Sequence, residues 1–98
     1  MTIDYKNGTL LIKGNVKSIQ DYQLIRSTIE DRFKDFDTIP IYIDSIAITS
    51  TVIGYFNKLI HEDKKKIVLH VQNPSLYKIL SELHLLDTFN VIKDFDEY

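Results

Sequence analysis

The chain opens with two short runs in which apolar and polar residues alternate, Ile3-Asp4-Tyr5-Lys6 and Thr9-Leu10-Leu11-Ile12-Lys13, separated by Asn7-Gly8. Asn-Gly supplies the two positive φ angles of a tight type I′ turn, so this segment predicts an opening β-hairpin. Gly14-Asn15 ends the second strand. The period then changes: Tyr22, Ile25, Ile29, Phe33 and Phe36 recur at helical spacing, while Arg26, Glu30, Asp31 and Lys34 face elsewhere. Ser18 with Asp21 three positions later marks the start of that helix, a capping box with Asp in place of the usual Glu or Gln.

Ile39-Pro40-Ile41-Tyr42-Ile43 is short, apolar and β-branched, the pattern of a strand buried on both faces, with Pro40 confined to its start. Asp44-Ser45 breaks it. Thr49-Ser50-Thr51 then introduces a second helical stripe of Val52, Ile53, Phe56, Leu59 and Ile60, which ends near the charged run at residues 62–66. Ser50 is placed to cap this helix, a role worth about 1 kcal/mol. Ile67-Val68-Leu69-His70-Val71 is the next strand; Asn73 is a good N-cap, and Pro74 suits the first helical position that follows it. Leu76, Ile79, Leu80 and Leu83 line one face of a third helix that stops near Leu86-Asp87. Val91-Ile92 forms a last short strand, and residues 93–98 read as an acidic tail without periodicity, a candidate for disorder.

The order is hairpin, helix, strand, helix, strand, helix, short strand. Such alternation predicts an α/β fold in which crossover helices pack, through right-handed connections, on a mixed β-sheet. Ile41 and Ile43, and Val68 and Leu69, belong in adjacent central strands, because both segments are too apolar for an edge. With 98 residues the chain is expected to be one domain spanning 1–98.

Composition narrows the chemistry. The chain has no cysteine, which removes disulfides, thiolate zinc sites and cysteine nucleophiles. Gly8, Gly14 and Gly54 stand apart and form no phosphate loop, and His61, His70 and His84 show no ligand spacing. No serine lies in a nucleophile elbow. Neither an enzyme nor a bound cofactor or metal is expected. The formal net charge is −2, and the basic residues do not gather with aromatics into a stripe, so nucleic acid is not an expected partner. Lys64-Lys65-Lys66 reads as a solvated turn. The start, Met1-Thr2-Ile3-Asp4-Tyr5-Lys6, lacks the basic and apolar run of a secretory signal, and no stretch has the length of a membrane span. The cytoplasm, without direct membrane insertion, is the expected location.

Two segments resemble a known family, the STAS domains (sulfate transporter and anti-sigma factor antagonist). Ile48-Thr49-Ser50-Thr51-Val52-Ile53-Gly54-Tyr55-Phe56 resembles the apolar-Asp-Ser-Ser-Gly-Leu-Gly-apolar-apolar stretch in which the serine at a helix start is phosphorylated by a partner kinase. The run from Ile67 to Phe89 resembles the family's strand, Asn-Pro or Ser-Pro cap, helix, and closing Gly-Leu-Asp-x-Phe-like sequence, here Leu86-Asp87-Thr88-Phe89. The hairpin and Gly14 also match, so the likeness covers nearly the whole chain. Thr49 stands where the family has Asp, and Val52 where it has Gly.

The resemblance implies a STAS-like fold and a binding protein that docks on an anti-sigma factor or serine kinase. Ser50 is the phosphorylation candidate it implies. A second register, Asp44-Ser45-Ile46-Ala47, would offer Ser45 instead, but it places Lys58 and His61 where apolar residues are expected. The implied docking surface comprises Asp44, Ser45, Thr49, Ser50, Thr51, Val52, Gly54 and Tyr55. The alternative within the same likeness is a constitutive subunit, never phosphorylated, that binds the ATPase of a phospholipid-transport ABC system. Tyr42, Tyr55 and Phe56 are either anchors for a partner or core residues, and spacing favours the core.

Overall fold

The computed structural model describes residues 1–96. Asn7 and Gly8 take φ angles of 53° and 76°, the left-handed pair that a type I′ turn needs. They join β1 (Thr2–Lys6) to β2 (Thr9–Lys13) in an antiparallel hairpin with Lys6 opposite Thr9. The helix α1 (Ile19–Arg32) starts at the expected capping box. The Asp21 N–H donates to Ser18 Oγ at 3.1 Å, and the Asp21 carboxylate accepts the Lys17 and Ser18 N–H groups at 3.0 and 3.3 Å. There follow β3 (Thr38–Asp44), α2 (Ser50–His61), β4 (Lys66–Val71), α3 (Pro74–Glu82) and β5 (Val91–Lys93). Asn73 caps α3, its Oδ1 accepting the Ser75 N–H at 2.8 Å, with Pro74 in the first turn.

The five strands lie in the order β1-β2-β3-β4-β5, antiparallel at the hairpin and parallel elsewhere. This is a mixed α/β sheet, as expected. Pro40 stands opposite Val68 and Ile41 opposite Leu69, so β3 and β4 are adjacent interior strands. Every second residue of β2, β3 and β4 is buried: Leu10, Ile12, Ile39, Ile41, Ile43, Ile67, Leu69 and Val71. They meet Ile25, Ile29, Val52, Phe56, Leu59, Leu76 and Leu80 of the helices in one core. Burying those side chains supplies most of the driving force, at roughly 1.5–3 kcal/mol for each large one.

The intervening residues, Leu11, Pro40, Tyr42, Val68 and His70, are only half-buried. The strands were expected to be covered on both faces; the helices cover one. Tyr42 and His70 shield each other on the open face, their rings stacked 4.0 Å apart and 2° from parallel.

Three boundaries differ from the sequence expectation, each for a local reason. α1 ends at Arg32 and leaves Phe36 half-exposed, because Lys65 draws the following turn inward. Its ammonium donates to the carbonyls of Phe33 and Phe36 at 2.9 and 2.7 Å, groups that a helix end leaves unpaired. Lys65 is thus a cap and not part of a solvated turn. α3 stops at Glu82; His84 is left-handed at φ 58°, and the turns beyond it carry Phe89 into the core. The tail is tied down further than expected, with Lys93 in β5 and the Phe95 ring 5.9 Å from that of Tyr77. The rest of the expected loose tail, residues 97–98, lies outside the described residues. Among the described residues no helix is long and apolar enough to cross a membrane.

Candidate functional site

The parallel strands β2, β3 and β4 all end at one edge of the sheet, and the loops after them lead into the N-termini of α1, α2 and α3. Doubly wound α/β sheets bind ligands at this edge where the strand order reverses; here the order runs straight from β1 to β5, so the edge is singled out by the residues it carries. Short bonds lace the first two loops together. The Gly14 N–H donates to the Asp44 carbonyl at 2.9 Å, and the Ile46 N–H donates to Asn15 Oδ1 at 3.2 Å. Ser45 is the buried pin between them: its hydroxyl accepts the Val16 N–H at 3.1 Å and donates to the Ala47 carbonyl at 2.6 Å.

Ser45 is 1% exposed, so its hydroxyl is committed to the fold and closed to a modifying enzyme. Ser50 is exposed and has no hydrogen-bond partner among the described residues. It is the first residue of α2 and not its cap. Thr49, still extended at φ −80° and ψ 155°, takes that role, its Oγ1 accepting the Val52 N–H at 3.3 Å. The expected cap is therefore displaced by one residue, because the last extended residue before the helix is the one whose side chain can reach back to the free N–H groups.

The helical period separates the remaining candidates. Ser50, Gly54 and Lys58, spaced by one turn, lie on an exposed strip with Thr51 beside them. Gly54 has open space where a Cβ would stand, so it leaves the helix backbone open to close approach. Val52 and Tyr55 point the other way, into the core with Phe56 and Leu59. Val52 is fully buried and Tyr55 is 5% exposed, which removes both from the docking surface the resemblance implies. The Val52 bulk, in place of the family's glycine, goes into the core and not onto the surface. Tyr42 lies on the open face and Phe56 in the core, its ring edge-on to Phe89 at 5.7 Å. Asp44 is half-buried at the end of β3, level with Lys13 of β2.

Two residues outside the sequence-derived set complete the edge. Ile46 in the β3–α2 loop is 54% exposed, and Ile19 at the start of α1 is 71% exposed. Ile19 and Tyr22 share a shallow cavity of about 110 Å³ with Lys17, Ser18, Thr49 and Thr51, so the starts of α1 and α2 adjoin. Neither isoleucine stood out in the chain: Ile46 lies beside Ala47 and Ile48 in a loop that is itself largely apolar, and Ile19 stands three residues before Tyr22, at the spacing of the α1 stripe.

The electrostatics of the two helix starts differ. At α1, the backbone N–H of Lys17, with further bonds from Ser18, holds the Asp21 carboxyl below its usual range, so a carboxylate already occupies the positive end. The first turn of α2 contains no acidic residue. Beneath α2, burial pushes the Tyr55 phenol far above its usual ionisation, with the Glu30 carboxylate adding to the effect, and its hydroxyl has no hydrogen-bond partner among the described residues. Among the described residues, no group of His, Asp or Glu is arranged to hold a metal ion.

Comparison of the chain with protein-family models, with curated proteins and with solved structures finds no match.

Proposed function

We propose that this protein is a STAS-like binding module that docks a protein partner through the edge formed by Ile19, Ile46, Ser50, Thr51 and Gly54. The observation that carries the reading is the position of Ser50: an exposed hydroxyl, unbonded among the described residues, at the first turn of α2, on an edge that also exposes Ile46 of the laced loops and Ile19 at the start of α1. Apolar side chains on a rigid edge offer desolvation energy, and a hydroxyl among them is tolerated in an interface where a charge is not. The partner class is an anti-sigma factor or a serine kinase, and the module acts in the cytoplasm without catalysis. Phosphorylation of Ser50 would place close to two negative charges at the N-terminus of α2, where the free N–H groups accept them without harm to the fold. The same charge would face the partner unpaired. Docking is thereby switched off while the domain stays folded.

A second reading has its own support. Thr49 fills the position of the family's Asp with a hydroxyl already bound in the cap, and no acidic residue stands in the first turn. A kinase that reads a carboxylate there finds none, which favours a constitutive subunit on a transporter ATPase.

Affinity purification from the native cell, with wild type and Ile46→Asp as parallel baits, tests the proposal. A partner retained by wild type and lost by Ile46→Asp supports docking at this edge. A partner retained equally by both places the interface elsewhere. Phosphopeptides spanning Ser50 distinguish the switch from the constitutive subunit.

A further inference from the structure

The open face of the sheet lies away from the edge just described, and its pattern follows from the register. One row across the strands reads Asp4, Leu11, Tyr42, His70, Ile92. The next row reads Lys6, Thr9, Pro40, Val68. Beyond the first row lie Lys13, Asp44 and Gln72, with Gln72 bonded to Asp94 at 3.2 Å. Beyond the second lie Thr38 and Lys66. At β3 and β4 the two rows are apolar or aromatic, Tyr42 and His70 beside Pro40 and Val68, and at β1 they end in Asp4 and Lys6. The strand ends carry carboxylates in excess at one side of them and an ammonium at the other.

We propose that this face packs against the same face of a second copy of the chain, with the strands of the two sheets antiparallel. The argument is the complementarity of the face with itself. A two-fold axis between the sheets, running across the strands, lays the Tyr42 row of one copy on the Pro40 row of the other. Asp4 then meets Lys6 of the second copy, and by symmetry Lys6 meets Asp4. Lys66 of each copy approaches the Asp44 and Asp94 end of the other. A second axis, along the strands and over β3, would set Asp44 against Asp44, and like charges in contact suppress that placement.

The shape agrees. Sheets pack face to face about 10 Å apart, with strand directions within about 30°, when their facing side chains interdigitate. The flat Tyr42–His70 stack is an aromatic centre of the kind on which interface energy concentrates. Beside it Leu11, Lys13, Tyr42, Asp44 and Gln72 border a depression of about 330 Å³ that side chains of the second copy can enter. Strand spacing of about 4.8 Å and a rise of about 3.3 Å per residue make the face roughly 20 by 20 Å. That is about 400 Å² from each copy, short of a standard interface, so the dimer is a weak one that forms only at high concentration.

Sedimentation velocity of the full chain, up to about 500 µM, tests this, with circular dichroism to verify folding of each variant. Wild type is expected to shift from monomer to dimer as concentration rises, and Tyr42→Glu to weaken association at least tenfold. Asp4→Lys and Lys6→Glu, both at exposed hairpin positions, are each expected to weaken it several-fold, and the double reversal to restore it. If Tyr42→Glu fails to fold, the charge-reversal set decides. A wild type that stays monomeric at the highest concentration would overturn the proposal and leave the face to another partner. A dimer indifferent to Tyr42→Glu, or a double reversal weaker than either single change, would overturn it as well.

Discussion

The hydroxyl of Ser45 accepts the backbone N–H of Val16 at 3.1 Å, across 29 positions of sequence, and so fixes the loop after β3 to the loop after β2. Both groups are buried. Ser45→Ala strands the Val16 N–H without water or a partner, and the expected loss in urea denaturation is about 1–3 kcal/mol. A loss near zero would mean the two loops are held by something other than this bond.

One residue separates the cap of α2 from the exposed hydroxyl beside it, and stability measurements distinguish them. Thr49→Ala removes the acceptor of the Val52 N–H and is expected to cost about 1 kcal/mol. Ser50→Ala removes an exposed hydroxyl with no partner among the described residues, and a change within about 0.5 kcal/mol is expected. The reverse order in thermal or urea melts would return the cap to Ser50.

Tyr55 buries a hydroxyl that nothing accepts from or donates to among the described residues. Tyr55→Phe relieves that deficit and is expected to raise stability by about 1 kcal/mol at neutral pH. The folded phenol ionises at higher pH than an unfolded one, so its contribution is intact below about pH 10 and is lost as pH rises beyond it. The wild type should therefore destabilise in alkali, and Tyr55→Phe should flatten that limb. A variant less stable than wild type at pH 7 would show that the hydroxyl has a partner.

Phe56 is fully buried and meets Phe89 edge-on, which joins α2 to the turns after α3. Phe56→Ala is expected to cost about 3–5 kcal/mol, the loss of a large ring and the cavity left behind. A cost below about 1 kcal/mol, read from chemical denaturation, would place the ring at the surface.

Much of the fold was legible because its signals are local. Asn7-Gly8, the Ser18 and Asp21 box, and Asn73-Pro74 each act within a few residues, and each forms as its side chains require. The adjacency of β3 and β4 followed from their shared apolar run. The bare sheet face was also written in the chain, as the alternation of Ile41 and Ile43 with Pro40, Tyr42 and Asp44, but the apolar count of the strand concealed the period. At the candidate site, the helical spacing that marked Val52 as core conflicted with the resemblance that placed it at the surface, and burial sides with the spacing. Tyr55, three positions after Val52 and next to Phe56, carried the same signal. Ser45 was not legible. Its partner is distant in sequence, and a serine after an acidic residue looks the same whether its hydroxyl pins a loop or meets solvent.

The central claim, that the edge around Ser50 docks a protein partner and that charge there releases it, is tested most directly by calorimetric titration of the purified partner. Ser50→Asp is predicted to bind at least tenfold more weakly than wild type, a loss of about 1.4 kcal/mol, with its melting temperature unchanged within a few degrees. Ser50→Ala is predicted to bind as wild type does, since docking needs only the absence of charge. Equal affinity of wild type, Ser50→Ala and Ser50→Asp would contradict the account and leave Ser50 a solvated residue of no consequence for binding.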